Sequence, residues 1–312
     1  MCNHAEAPAL LKWARGATTG EASAMDAIGW VGLGNMGLPM ARRILASGHP
    51  LWIWARNPQQ ALDLKRSGAH VATDLIELAQ RSKVVISMLR DTADVEEVFE
   101  GMRLGMQPDT IFIDMTTAAP TVALHASTIT KERAAGFLDA PVTGSVAAAG
   151  EGRLTCFIGG DPTLLEASRP VLTLLCDHLI HCGDNGSGYR MKLVNQTVLA
   201  GIFLGLADGL ALARRDDFAP STVLEAVGSG PAAGSLFQTY AQRMLTGSDD
   251  RSFTLGLLRK DLRLARAEAH ENGIPCSMLD LMLERLTAAS ERYGPHAGVH
   301  VLSRMDLPPT NR

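Results

Sequence analysis

The feature that most constrains this fold is an alternation of short apolar runs with helical patterns through the first half of the chain. These runs predict six strands, at 27–31, 51–54, 83–89, 110–114, 137–140 and 154–158. Such an alternation is typical of β-α-β units, which build a parallel sheet with helices on its faces. Local signals bound two of the helices. Gly48 is expected to end the first helix. Asn57-Pro58 is expected to begin the second helix, and Gly68 is expected to end it.

The second half lacks this alternation. Strand patterns disappear after about Gly188, and residues 189–214 read as one long helix that is apolar around most of its circumference. Helical patterns then continue to Ala289, broken at 228–235 and 246–252. The sequence predicts an α/β Rossmann-type N-terminal domain at 26–187, followed by an all-α C-terminal domain at 188–308.

Residues 1–25 differ in character from the rest. Their apolar run, Ala7 to Leu11, is shorter than a signal-peptide core, and Glu6 and Glu21 are unusual in an organellar transit peptide. We expect a disordered extension, with Met25 as the natural start.

Bulk properties exclude several classes of protein. The net charge of −4 offers no basic surface for nucleic acid. The longest apolar stretch, Val198 to Ala207, is too short to cross a bilayer. Five cysteines without a C-x-x-C pair suit a reducing compartment. We expect a soluble cytoplasmic protein without nucleic-acid or membrane partners.

The segment Gly32-Leu33-Gly34-Asn35-Met36-Gly37 follows the first strand and opens a helix. Glycines at this spacing permit a tight turn, close approach of backbone to a pyrophosphate, and helix–strand contact. The helix N-terminus would offer free N–H groups to the phosphates. The motif predicts a dinucleotide site.

The end of the second strand indicates which dinucleotide. An NAD site usually has an acid there, to accept a hydrogen bond from the ribose 2′-hydroxyl. This chain has Ala55-Arg56-Asn57, and a guanidinium at Arg56 suits a 2′-phosphate. NADP is therefore favoured over NAD, although Arg56 could also be a solvated surface residue.

Two further segments carry polar groups. Lys192, Asn195 and Gln196 share one face of the long helix, where a buried lysine could shuttle a proton and an amide could hold a substrate oxygen. The same face could be a plain polar stripe. Thr143-Gly144-Ser145 leaves a strand and could cradle a carboxylate with its N–H groups and hydroxyls, or be a simple connection.

No metal site is expected. His178 and His181 lie near Cys176, Cys182 and Asp184, but without the paired spacing of zinc ligands.

Together these segments resemble the β-hydroxyacid dehydrogenase family, which includes 3-hydroxyisobutyrate dehydrogenase and tartronate semialdehyde reductase. The resemblance extends from about Ala27 to about Val301 and rests on four motifs in order: the glycine loop at 32–37, Asp139-Ala140-Pro141-Val142-Thr143-Gly144, the Lys192–Asn195 face, and Lys260-Asp261-Leu262.

The resemblance implies a role for each motif. Lys192 would be the general acid/base and Asn195 would position the substrate, while Thr143, Gly144 and Ser145 would hold its carboxylate. The cofactor would contact the glycine loop and the residues Arg56, Asn57, Leu89, Thr117 and Lys260. The implied reaction is hydride transfer between NADP(H), or NAD(H), and a small 3-hydroxy acid or its semialdehyde, with a homodimer or larger homo-oligomer formed through the helical domain.

Three departures from the family pattern leave the substrate open. Arg90 follows Leu89 where proline is usual, Thr143-Gly144-Ser145 replaces Ser-Gly-Gly, and Ala55 removes an acid. An NADPH-dependent imine reductase shares the architecture but generally lacks the lysine. A catalytically silent cofactor-binding module would typically lack it too, so Lys192 argues against both alternatives.

Overall fold

A computed structural model describes residues 26–305. The expected extension at 1–25 lies outside the described residues. The chain forms two compact units, and the division falls between Lys192 and Leu193. The sequence had placed the domain boundary five residues earlier, after residue 187.

A nine-stranded sheet organises the first unit, in the order β3-β2-β1-β4-β5-β6-β8-β7, with β9 beside β8. From β3 to β6 all neighbours are parallel, whereas β8 runs antiparallel to β6 and β7. The order 3-2-1-4-5-6 is that of a dinucleotide-binding sheet, whose ligand site lies beyond the carboxyl ends of the strands. The strands are β1 Ile28–Val31, β2 Leu51–Trp54, β3 His70–Val71, β4 Val84–Ser87, β5 Ile111–Asp114, β6 Gly136–Asp139, β7 Val142–Thr143, β8 Leu154–Gly159 and β9 Cys176–Gly183.

Helices connect these strands and cover both faces of the sheet. In β4, Val84 and Ile86 belong to one buried apolar cluster and Val85 to another, as the two-residue period of a strand requires. A strand buried on both faces is characteristic of parallel sheets. The helices are α1 Gly37–Ala46, α2 Leu62–Arg66, α3 Leu75–Gln80, α4 Thr92–Met102, α5 Pro120–Lys131, α6 Val146–Glu151 and α7 Pro162–Leu172.

The second unit is helical and has its own apolar core, which includes Phe203, Leu258 and Leu286. Its helices are α8, which begins in the first unit at Ser187 and ends at Arg215, then α9 Pro220–Gly228, α10 Ser235–Thr246, α11 Leu255–Glu271 and α12 Ser277–Tyr293. The α/β Rossmann-type domain followed by an all-α domain is therefore confirmed.

The long helix α8 carries more apolar surface than its surroundings bury. By length and composition α8 could cross a membrane, but the core helices of soluble proteins often have the same length and composition. Only 33% of its most apolar stretch is buried. Its exposed apolar side chains form a row from the first turns toward the end: Met191, Val194, Val198, Ile202 and Leu212. This face of α8 is therefore exposed within the described residues.

Three strands, β3, β7 and β9, were not expected from the sequence. β9 is mostly polar and pairs in parallel with β8. Asn57-Pro58 begins a 3-10 turn at Pro58–Ala61 before α2, with the Asn57 side chain accepting a hydrogen bond from the Gln59 N–H at 3.0 Å. Gly48 and Gly68 follow their helices with positive φ, as predicted.

Candidate active site

Each of the three glycines in the loop between β1 and α1 is present for a different structural reason. Gly32 has φ +100°, and a Cβ there would lie 2.1 Å from the Met88 carbonyl oxygen. A Cβ on Gly37 would lie 2.1 Å from the Gly32 carbonyl oxygen. A Cβ on Gly34 would instead meet no atom within 4 Å, so this position opens onto free space. Such space beside a helix N-terminus fits the pyrophosphate of a dinucleotide.

Charged side chains gather where β2 and β4 end. Arg56, two residues after β2, donates hydrogen bonds to Glu97 at 2.7 Å and to Asp94 at 3.2 Å. Two nitrogens of the Arg90 guanidinium donate hydrogen bonds to the Asp94 carboxylate, at 2.6 and 2.9 Å. The hydrogen bonds from Arg90, and to a smaller extent the bond from Arg56, lower the pKa of Asp94. The predicted cofactor residue Arg56 is thus placed at the expected strand end, but its guanidinium already contacts two carboxylates.

A buried carboxylate, Asp114, ties the ends of β4 and β5 together. Its Oδ1 accepts hydrogen bonds from the hydroxyls of Ser87 at 2.5 Å and Thr116 at 2.9 Å. The same Thr116 oxygen accepts from the Leu89 N–H at 2.9 Å. Leu89, a predicted cofactor residue, is therefore fixed in place, and Thr117 follows directly on the same segment. Burial raises the pKa of Asp114, and the hydrogen bonds from Ser87, Tyr189 and Thr116 oppose that shift.

The start of α8 is anchored to the carboxyl ends of β5 and β6. Asp139 accepts from the backbone N–H groups of Gly186 at 2.8 Å and Tyr189 at 3.0 Å. The buried Tyr189 hydroxyl donates to Asp114 Oδ2 at 2.5 Å. Burial raises the pKa of Asp139 to about 6, against the opposing hydrogen bonds from Gly186 and Tyr189.

This anchor fixes the helix turn that presents Lys192. Tyr189 precedes Lys192 by three residues, so the two lie on the same side of the helix. Lys192 is only 6% exposed. The helix turn that carries this buried lysine is therefore held by Asp114 and Asp139.

The predicted carboxylate cradle is less loop-like than expected. Thr143 belongs to β7 and pairs with Thr155 of β8. Gly144 has φ +145°, a conformation that suits glycine. The Ser145 hydroxyl accepts from the Ala148 N–H at 3.1 Å and so caps α6. The segment thus has a defined geometry at the end of β7 and the start of α6.

In the second unit, the remaining predicted residues surround a buried carboxylate. Asn195 donates to Gln196 at 3.0 Å, and Gln196 donates to Asp261 at 2.6 Å. The Lys260 ammonium lies 3.0 Å from the other oxygen of Asp261. Asn195 and Lys260 are therefore linked through Gln196 and Asp261, although they are 65 residues apart in the chain.

Sequence reasoning missed Asp114, Asp139 and Tyr189 as positioning groups. One signal was available, because both acids are the last residues of successive strands. Cys176, His178, His181 and Cys182 all belong to β9, and the His181 ring donates to the Gly160 carbonyl at 2.8 Å. Among residues 26–305 there is no cluster of three potential metal ligands.

Comparisons with known proteins cover nearly all the described chain. Residues 27–183 match the family described as the NAD binding domain of 6-phosphogluconate dehydrogenase. Residues 186–305 match the family described as NAD-binding of NADP-dependent 3-hydroxyisobutyrate dehydrogenase.

Individual proteins agree with these matches. An NAD-dependent L-serine dehydrogenase of Pseudomonas aeruginosa is 32% identical, covering 84% of this chain and 92% of the relative. The mitochondrial 3-hydroxyisobutyrate dehydrogenase of Drosophila melanogaster is 32% identical, covering 80% and 79%. A solved structure of Mycobacterium tuberculosis 3-hydroxyisobutyrate dehydrogenase with L-serine has TM-score 0.84 and 24% identity, covering 91% of this chain and 100% of that one, and shows the same fold.

Proposed function

The chain belongs to the β-hydroxyacid dehydrogenase family, and we propose that it transfers hydride between NADPH and a small 3-hydroxy acid or its semialdehyde. It is an NAD(P)-binding oxidoreductase of the 3-hydroxyisobutyrate dehydrogenase type. The observation that carries the proposal is the buried Lys192, presented by a helix whose first turn is hydrogen-bonded to two buried carboxylates.

Each group has a defined task in the proposed reaction. The glycine loop at 32–37 would hold the nicotinamide cofactor, which would supply or accept the hydride. Lys192 donates a proton from Nζ to the substrate carbonyl oxygen during reduction and takes it back during oxidation. Asn195 positions the substrate by its amide. Thr143, Gly144 and Ser145 hold the substrate carboxylate.

The remaining predicted contacts concern the cofactor. Leu89 and Thr117 are proposed to line its nicotinamide end, since both follow strand ends that Asp114 ties together. Asn57 and Lys260 stay predictions that rest on the family resemblance.

NADPH is the proposed preferred cofactor. Ala55 stands where NAD-dependent sites usually have an acid, and the guanidinium of the next residue, Arg56, suits a 2′-phosphate. The relatives point both ways, because one matching family is described as NADP-dependent and one relative as NAD-dependent.

The proposed substrate class is tested by a panel assay with both cofactors. One set of candidate substrates contains tartronate semialdehyde, the semialdehyde of 3-hydroxyisobutyrate, the corresponding hydroxy acids and L-serine. The other set contains cyclic imines. We expect turnover of at least one hydroxy acid or semialdehyde, and its loss in Lys192→Ala. Turnover of imines alone would favour the imine reductase, and cofactor binding without any turnover would favour the silent module.

We also propose that the protein is a cytoplasmic homodimer without nucleic-acid or membrane partners. The exposed apolar row of α8 supports the dimer, since a symmetric pairing would bury it.

A further inference from the structure

Four charged side chains at the adenosine end of the proposed cofactor site divide into two pairs. Asp94 and Glu97 lie three residues apart on α4 and therefore on one face of that helix. Arg90 contacts Asp94 with two nitrogens, whereas the shorter contact of Arg56 is with Glu97. Asp94 is thus occupied mainly by Arg90, and Glu97 is the main partner of Arg56.

The two pairs also differ in exposure. The side chain of Asp94 is only 10% exposed, while those of Arg56 and Glu97 are 54% and 64% exposed. An exposed ion pair is weak and exchanges readily, because water screens both charges. The bond between Arg56 and Glu97 can therefore be replaced by a stronger anion.

We propose that Glu97 competes with the cofactor's 2′-phosphate for Arg56, and so sets the preference between NADPH and NADH. This inference rests on the proposed NADPH-binding role of Arg56. When a 2′-phosphate binds Arg56, it displaces the Glu97 carboxylate and then lies close to that negative charge. Both effects weaken NADPH binding.

NADH meets the opposite situation. Its ribose 2′-hydroxyl is a hydrogen-bond donor, and a carboxylate near the end of β2 is the usual acceptor for it. Here β2 is followed by Ala55-Arg56 and offers no acid, so Glu97, reaching across from α4, takes that place. Arg56 favours NADPH and Glu97 favours NADH.

Arg90 has a supporting role in this arrangement. By occupying both oxygens of Asp94, it keeps that nearly buried carboxylate from binding Arg56 more tightly. Without Arg90, the Asp94 carboxylate would bind Arg56 more strongly. The 2′-phosphate would then compete with Asp94 as well as with Glu97 for Arg56.

The test measures binding of cofactor fragments, without catalysis. Isothermal titration with adenosine 2′,5′-bisphosphate and with adenosine 5′-monophosphate isolates the 2′-phosphate contribution. Glu97→Gln should bind the bisphosphate about three- to ten-fold more tightly, as expected when a weak exposed ion pair and a like charge are removed. Its monophosphate affinity should fall, because the carboxylate that accepts from the ribose 2′-hydroxyl is lost. Glu96→Gln, with the same charge change at an exposed neighbouring position of α4, should change neither.

Two further variants separate the possible failures. Arg56→Ala should weaken the bisphosphate by roughly ten- to a hundred-fold without affecting the monophosphate. If it does and Glu97→Gln matches Glu96→Gln, the competition is refuted while the NADPH proposal stands. If Arg56→Ala weakens both ligands equally, the NADPH proposal itself fails.

The role of Arg90 has its own control. Arg90→Ala should weaken bisphosphate binding, and adding Asp94→Asn should restore it, because the freed carboxylate is gone. Failure of the double variant to restore binding would show that Arg90 contacts the phosphate directly and would overturn its supporting role.

Discussion

Tyr189→Phe tests whether the anchor of α8 positions Lys192. The substitution keeps the buried ring and removes only the hydroxyl that donates to Asp114. A hydrogen bond to a charged group is worth about 1.5–3 kcal/mol net. Asp114 Oδ2 retains one donor, the Thr116 N–H at 3.0 Å, so the carboxylate is not left without a partner. We therefore expect a loss of about 2 kcal/mol in the free energy of unfolding.

The loss should appear in stability and in catalysis. For a domain of this size, about 2 kcal/mol corresponds to a fall in Tm of roughly 4–8 °C. Lys192 lies one helical turn after Tyr189, and a displacement of about 1 Å at a catalytic group can cost on the order of 10²-fold in rate. We expect kcat to fall measurably, with cofactor Kd unchanged.

Tyr293→Phe is the matched control. The Tyr293 hydroxyl donates to the Arg304 carbonyl at 2.8 Å in the helical unit. Its loss removes a neutral hydrogen bond, worth about 0.5–1.5 kcal/mol, and should leave kcat unchanged. Thermal melts and single-turnover kinetics of both variants give the comparison. Equal effects of the two substitutions on kcat would refute the positioning role of Tyr189.

Three other predictions follow from the structure. Gly34→Ala should leave Tm unchanged, because its Cβ meets only free space, and should weaken NADPH binding in a titration. Gly37→Ala should lower Tm, because its Cβ meets the Gly32 carbonyl oxygen. Equal losses of Tm in the two variants would contradict this prediction. Asp139 has a folded-state pKa of about 6, above its ordinary value, so its contribution to stability is present at low pH and lost as pH rises through about 6. The wild type should therefore lose about 2 kcal/mol relative to Asp139→Asn between pH 4 and pH 7 in urea unfolding, and parallel curves would contradict the shift. Sedimentation velocity should show a dimer, and a concentration-independent species of 33.3 kDa would rule it out.

The sequence predicted the elements better than it predicted their side-chain contacts. Buried strands such as Ile111–Asp114 are apolar runs and were found to within three residues at either end. β9 was missed because Cys176–Gly183 has no apolar run and owes its conformation to pairing with β8.

The candidate site shows the same limit. The glycine loop was predicted from a pattern that is local in the sequence, and the role of Lys192 was predicted from the family resemblance. The contact between Arg56 and Glu97 spans 41 residues, and that between Tyr189 and Asp114 spans 75, so no local pattern contains them. Both depend on which strand ends the sheet order brings together.

The central claim is that Lys192 transfers the proton that accompanies hydride transfer. Single-turnover oxidation of bound NADPH by the best substrate of the panel measures this step directly in wild type and in Lys192→Ala. We expect the rate to fall by roughly 10²–10⁴-fold, the usual contribution of a positioned general acid/base, with NADPH binding nearly unchanged. A variant that kept more than about a tenth of the wild-type rate, with chemistry still rate-limiting, would contradict the claim.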